Sequence, residues 1–202
     1  LLALPAVSLA IAQDPPPSPL LRDDFLLPLH TAPQGADPAQ YGVWARGRTW
    51  KASFHDGFAF YPRPGVEHGD RLLPLRYRLS RVTAGGMPLA SVQSAPTTQW
   101  SPTRFAMHWP GITEAYEVRA EGVEQSFVIA ARPSSPGDLR IVGRFDTELH
   151  ADRVEDTHTA LVFSDPAGQA LVRYGEATAI DACGDRAAVT TSFDGRDVTL
   201  VC

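Results

Sequence analysis

From residue 41 onward, apolar and polar positions alternate in short runs broken by turn residues. Residues 75–81 spell Leu-Arg-Tyr-Arg-Leu-Ser-Arg, a period of two that puts Leu75, Tyr77 and Leu79 on one face. Leu139, Ile141, Gly143 and Phe145 share a face in the same way, against Arg140, Val142 and Arg144. Residues 50–55 and 58–61 flank Asp56-Gly57. That dipeptide suits the positive φ values of a two-residue hairpin turn. Gly85-Gly86 leads into a run over 89–94, and Glu121-Gly122 into a run over 123–131. Asp165-Pro166-Ala167-Gly168 separates 159–163 from 171–174, and Asp194-Gly195 separates 189–193 from 198–202. No window longer than about ten residues holds a capped apolar period of 3.6. The pattern predicts an all-β chain, an antiparallel β-sandwich-like domain over residues 41–202. Its last run ends on Val201-Cys202, so a C-terminal truncation within a strand is expected.

The first forty residues break this rhythm. Residues 13–40 contain seven of the eighteen prolines, at 15, 16, 17, 19, 28, 33 and 38. Proline removes backbone donors and biases its neighbours to extended conformations, so this stretch is expected to be a Pro-rich linker. The Phe25-Leu26-Leu27 patch within it is apolar enough to dock on the domain. Residues 1–12 are almost wholly apolar. As a helix they would reach about 18 Å, short of a hydrocarbon core of about 30 Å, so no membrane span is expected. The run ends Ala10-Ile11-Ala12 and is followed by Gln13-Asp14. That is the layout of a partial signal peptide cleaved after Ala12. The competing reading is a hydrophobic strand at the N-terminus of the domain. Export, to the medium or the cell surface, is the expectation.

Composition narrows the classes further. The 202 residues carry 18 Lys+Arg against 23 Asp+Glu, a net charge of −5. A mildly acidic chain has no broad attraction to phosphate backbones, so no nucleic-acid partner is expected. Lys51 is the only lysine, and there is no Asn and hence no N-glycosylation acceptor. Under export, Cys183 and Cys202 are expected to form a disulfide. Closing a loop of that size would contribute roughly 3 kcal/mol. The alternative is two unrelated thiols. Two cysteines without a C-x-x-C cannot complete a zinc shell.

No motif with known mechanics carries catalysis. His150, Asp152, Glu155, Asp156 and His158 gather ligand-type side chains, but at no established metal spacing. Glu67-His68-Gly69-Asp70 is a second polar cluster, expected to be a connecting loop. Glu114, Glu117, Glu121 and Glu124 could supply the paired carboxyls of a glycosidase, yet alternating Glu is also the solvent face of a sheet. P-loop, G-x-G-x-x-G and G-x-S-x-G signatures are absent. Neither a metal nor a cofactor is expected. The aromatic residues Trp44, Trp50, Trp100, Trp109, Tyr61, Tyr77 and Tyr116 raise a carbohydrate-binding option. Trp100 and Trp109 flank the loop 101–104 and are the pair expected to be exposed. Their ordinary job would be to anchor a β core.

The order of turns in the C-terminal half resembles a known family. Trp109-Pro110-Gly111-Ile112, Gly122-Val123-Glu124-Gln125-Ser126-Phe127, Pro136-Gly137-Asp138-Leu139, Asp165-Pro166-Ala167-Gly168 and Leu171-Val172-Arg173-Tyr174-Gly175 carry it. Over residues 105–202 the chain resembles the N-terminal β-domain of large secreted bacterial proteins that continue into FG-GAP or SBBP-type β-propeller repeats. Cys183 and Cys202 are not part of that pattern. The resemblance implies a non-catalytic extracellular structural or interaction module, with downstream propeller repeats as its partner in the same polypeptide. The alternatives are a polysaccharide-binding module using Trp100 and Trp109, and a secreted hydrolase.

Overall fold

The period-two runs form strands, and the fold is all-β. The computed structural model describes residues 2–4, 7–11, 26–31, 34–35, 37–55, 57–62, 73–153 and 160–202. In chain order the N-terminal elements are β1 (Leu2–Leu4), β2 (Val7–Ile11), β3 (His30–Thr31), the one-turn helix α1 (Pro38–Tyr41) and β4 (Val43–Arg46). The hairpin β5 (Trp50–His55) and β6 (Gly57–Pro62) follows, then β7 (Leu75–Ala84) and β8 (Met87–Ala90). The middle of the chain supplies β9 (Thr97–Trp100), β10 (Arg104–Trp109), β11 (Ile112–Arg119), β12 (Gly122–Ile129) and β13 (Leu139–Asp146). The last third holds β14 (His150–Arg153), β15 (Leu161–Ser164), β16 (Ala170–Tyr174) and β17 (Ala177–Ile180). It ends with β18 (Arg186–Ala188), β19 (Thr190–Phe193) and β20 (Asp197–Val201).

Three sheets result. A nine-stranded sheet runs β19-β20-β13-β7-β6-β5-β4-β3, with β8 also paired to β7. A seven-stranded sheet runs β18-β17-β2-β12-β11-β10-β9, and a four-stranded sheet runs β1-β16-β15-β14. Aromatic rings fill the space between them. Phe54 stacks on Phe105, Phe58 on Tyr116, and Tyr77 meets Phe127, joining the nine- and seven-stranded sheets. Phe145 meets Phe163 and Tyr174 edge-on, joining the nine- and four-stranded sheets. Each such pair contributes about 0.5–1.5 kcal/mol beyond the area it buries. Gly143 is required where Tyr77 packs: a Cβ there would lie 2.0 Å from the Tyr77 ring.

Two registers decide which side chains face out. In the β5–β6 hairpin, Phe54 pairs with Phe58 and His55 with Gly57, not in the two-residue register that Asp-Gly suggests. The reason lies in the period of two. A two-residue turn would put Phe58 and Phe60 on the side of His55 and Lys51, whereas the observed register puts both with Phe54 in the core. Gly57 takes φ +94°, a conformation open to glycine and strained for other residues. In β7, the pairing with β13 skips Ser80, so Leu79 opposes Gly143 and Arg81 opposes Val142. This bulge switches the inward parity, and Val82 and Ala84 join Leu75, Tyr77 and Leu79 in the core.

The N-terminal segments are incorporated into the sheets. β2 lies between β12 and β17, parallel to both, and β1 runs parallel to β16. Within the signal-like stretch, residues 2–4 and 7–11 thus take the strand conformation that the competing reading of the sequence allows. Part of the Pro-rich stretch is also docked. Leu26 bridges Arg119, the Leu27 amide donates to the Val118 carbonyl at 2.8 Å, and Leu29 is buried. With β3 and α1, residues 26–31 and 37–41 thus belong to the domain as well as residues 41–202 expected from the sequence. Residues 12–25 lie outside the described residues.

The expected disulfide is not formed. Cys183 and Cys202 are free, exposed thiols beyond bridging distance. Sequence spacing placed them one hairpin apart, but the chain changes sheet between them. Cys183 sits in the β17–β18 turn at the rim of the seven-stranded sheet, and Cys202 follows β20 in the nine-stranded sheet.

Candidate functional site

The outer face of the nine-stranded sheet gathers aromatic and cationic side chains. Alternation along β4, β5 and β6 sends Ala45, Ala52, Phe54 and Phe60 inward and leaves Trp44, Lys51 and Tyr61 on the opposite face. One register row crosses the sheet as His30, Trp44, Ser53, Ala59, Arg76 and Asp146, each paired to the next. The neighbouring row is Arg46, Lys51 and Tyr61. The Trp44 and Tyr61 rings lie 5.9 Å apart at 25° and are half-buried.

Both rings are held in place. The Trp44 indole Nε1–H donates to the Tyr41 carbonyl at 2.9 Å. The Tyr61 hydroxyl lies 3.4 Å from the Ser53 hydroxyl. Helix α1, which presents that Tyr41 carbonyl, is itself anchored: Asp37 caps it through the Ala39 amide, and His55 Nε2 hydrogen-bonds the Ala39 carbonyl at 3.0 Å.

Three cations on this face, Arg46, Lys51 and Arg76, have no ion-pair partner among the described residues. Arg46 and Lys51 are exposed and directly opposite one another, and like charges in that relation repel. Among the described residues neither has an ion-pair partner, and Arg76 has none although Asp146 is its cross-strand neighbour. Elsewhere on the same face the arginines are matched: Arg144 with Asp197 at 2.9 Å, Arg140 with Asp138 at 3.0 Å.

The sequence-derived candidates are distributed differently. Trp100 lies on the edge strand β9, opposite Phe105, and is 41% exposed. Trp109 is half-buried at the far end of β10, its indole Nε1–H donating to the Ser94 carbonyl at 2.9 Å. Four residues of strand, about 13 Å, separate it from the row of Trp100. The two rings do not stack among the described residues. Trp50, Tyr77 and Tyr116 belong to the core. His150 is exposed on β14, whereas Glu155, Asp156 and His158 lie outside the described residues. Glu67, His68 and Asp70 do too.

The glutamate row divides between two faces. Glu117 and Glu124 point outward, in salt bridges to Arg104 and Arg119 at 2.7 and 3.0 Å, and Glu121 is exposed in a turn. Glu114 instead points inward and is fully buried, correcting the expectation that the whole row faces solvent. Its Oε1 accepts from the Tyr116 hydroxyl and, at 2.7 Å, from Gln125 Nε2. Gln125 Oε1 accepts from the Tyr174 hydroxyl at 3.1 Å, so the network ties β11 and β12 to β16. Glu114 Oε2 has no partner among the described residues. Burial pushes the Glu114 carboxyl up to about 7, against the pull of its two hydrogen bonds. Burial, with Glu114 as a further cause, also holds the Tyr77, Tyr116 and Tyr174 phenols well above the usual range.

The outer face escaped the sequence reading because it exists only across strands. Trp44 and Tyr61 are 17 positions apart and meet through two register choices, neither of which is local. The usable signal was the alternation within residues 43–46 and 50–62, once the register that buries Phe54, Phe58 and Phe60 together is adopted. The chain matches no known protein family, no curated protein and no solved structure.

Proposed function

We propose that this chain is a non-catalytic binding module of an exported protein and that it works through the outer face of the nine-stranded sheet. The observation that supports this reading is the pair Trp44 and Tyr61, fixed by hydrogen bonds beside exposed cations that have no ion-pair partner among the described residues. Preorganised rings lose little freedom on capturing a ligand, which is how flat binding surfaces gain affinity. The family resemblance agrees with it: such a module would head a longer secreted polypeptide and offer a surface to partners outside the cell. The export component rests on the layout of residues 1–12.

The test is an immobilised panel of neutral and acidic glycans probed with the wild-type chain, Trp44→Ala and Trp100→Ala. Binding should be lost in Trp44→Ala and kept in Trp100→Ala. The opposite pattern would move the site to the β9 edge, where Trp100 is the most exposed tryptophan. Silence across the whole panel would remove the binding-module reading.

A further inference from the structure

We infer that the ligand of this face is an acidic polysaccharide, its sugar rings lying over Trp44 and Tyr61 and its carboxylate or sulfate groups seated between Arg46 and Lys51 and on Arg76. The inference rests on the binding-module reading and adds the charge and length of the ligand.

Charge comes first. The protein carries a net −5, yet this face holds three exposed cations without a carboxylate partner among the described residues. Arg46 and Lys51 stand on adjacent strands, about 5 Å apart at the backbone. Their mutual repulsion disfavours the free surface and is relieved by an anion placed between them. A guanidinium and an ammonium side by side suit a two- or three-oxygen anion, the first as a fork and the second as a point charge.

The rings sit within the same patch. Lys51 is the cross-strand neighbour of Tyr61, and Trp44 is two residues from Arg46 on the same strand. A ligand that meets both must carry flat apolar area and negative charge within one repeat. Charged sugars meet that demand. Arg76 lies three strand spacings from Trp44 along one row, about 14 Å, so the ligand spans several sugars across the strands. Asp146, next in the row, repels an anion beyond Arg76 and bounds the site on that side.

A single-stranded nucleic acid also joins flat rings to anions. Its affinity depends on neutralising many phosphates, and three cations on a net-acidic chain are a poor match for that demand.

The experiment titrates tryptophan fluorescence of the full chain with polygalacturonate, dextran sulfate, unmodified dextran and a thymidine oligonucleotide, at 50 and 300 mM NaCl. Either acidic polysaccharide should bind at least about tenfold more tightly than dextran, and the higher salt should weaken it. The double variant Arg46→Gln/Lys51→Gln should lose about tenfold or more, as expected when a charge-assisted contact is removed. Both substituted positions are exposed. The variant's melting temperature, which should equal or exceed the wild type's because a like-charge pair is gone, separates lost binding from lost fold. A uronate preference assigns the anion as carboxylate and a dextran sulfate preference as sulfate, and each supports the inference. Dextran bound as well as the acidic polymers, without salt dependence, would overturn the charge argument and leave the binding module standing. Preference for the oligonucleotide would overturn the ligand class. No binding by any probe would overturn the inference and, with a silent glycan panel, the module reading as well.

Discussion

At the residue scale, Glu114 makes the stability of the fold depend on pH. A carboxyl at the centre of the sandwich is costly when charged, and its two hydrogen bonds do not offset burial. The folded chain therefore holds the proton to about pH 7, whereas the unfolded chain releases it near 4.5. Below pH 4.5 both states are protonated and the packing contribution is complete. Between 4.5 and about 7 only the folded state keeps the proton, so stability falls as pH rises, and above 7 it levels off. The full displacement corresponds to about 3 kcal/mol. Urea denaturation from pH 4 to 8 should show this decline superimposed on the exposed groups. Glu114→Gln keeps the shape and much of the hydrogen bonding without the charge. It should flatten the profile and be at least as stable as wild type at pH 8. A wild-type profile unchanged by the substitution would mean that Glu114 is not the group responsible. Asp194 works in the opposite sense: the backbone amides of Asp197 and Arg196 hold its carboxyl below the ordinary value, so its contribution is lost as pH falls.

At the scale of elements, β2 poses the sharpest question, because two readings of residues 1–12 make opposite demands. As a leader the segment is removed. As a strand it bridges β12 and β17, which are otherwise not neighbours. A chain starting at residue 13 would leave both ladders open. At about 1 kcal/mol of net stability per backbone hydrogen bond, several kcal/mol should be lost. Urea midpoints of the full chain and the shortened one measure this directly. Equal midpoints would mean that β2 adds nothing to the fold. The sequence made most of the other elements legible. The first half of β7 follows from the alternation of residues 75–79, Leu139–Asp146 from its shared apolar face, and the turns at 85–86, 165–168 and 194–195 from their residues. What it hid were displacements of a single residue, the β5–β6 register and the Ser80 bulge. Both are settled by how large side chains fill the core, and a turn dipeptide cannot report that.

At the scale of the whole molecule, the limit is sheet assignment. Alternation marks a strand but not the sheet it joins, and the cysteines show the cost. Read along the chain, Cys183 and Cys202 bracket one hairpin. In the fold, residue 189 carries the chain from β18 in the seven-stranded sheet to β19 in the nine-stranded one, which parts the two thiols. The same non-local pairing hid the Trp44–Tyr61 face, since β4 and β6 meet only through β5. The thiols therefore test the assembly of the sheets. Native protein purified without reductant should titrate two free thiols with a disulfide-exchange reagent. A reductant should leave the melting temperature unchanged, and Cys183→Ser should alter stability by no more than about 0.5 kcal/mol, as for most surface positions. Cys202 is tied to Leu139 by reciprocal backbone bonds of 2.8 and 3.1 Å, and partial burial with the Asp138 carboxylate pushes its thiol up. Its reaction should accordingly quicken as pH is raised above neutrality. An intramolecular 183–202 bridge in the native protein, with a melting temperature that falls on reduction, would require β18 and β20 to lie close together. That outcome would overturn the division of the C-terminal strands between two sheets.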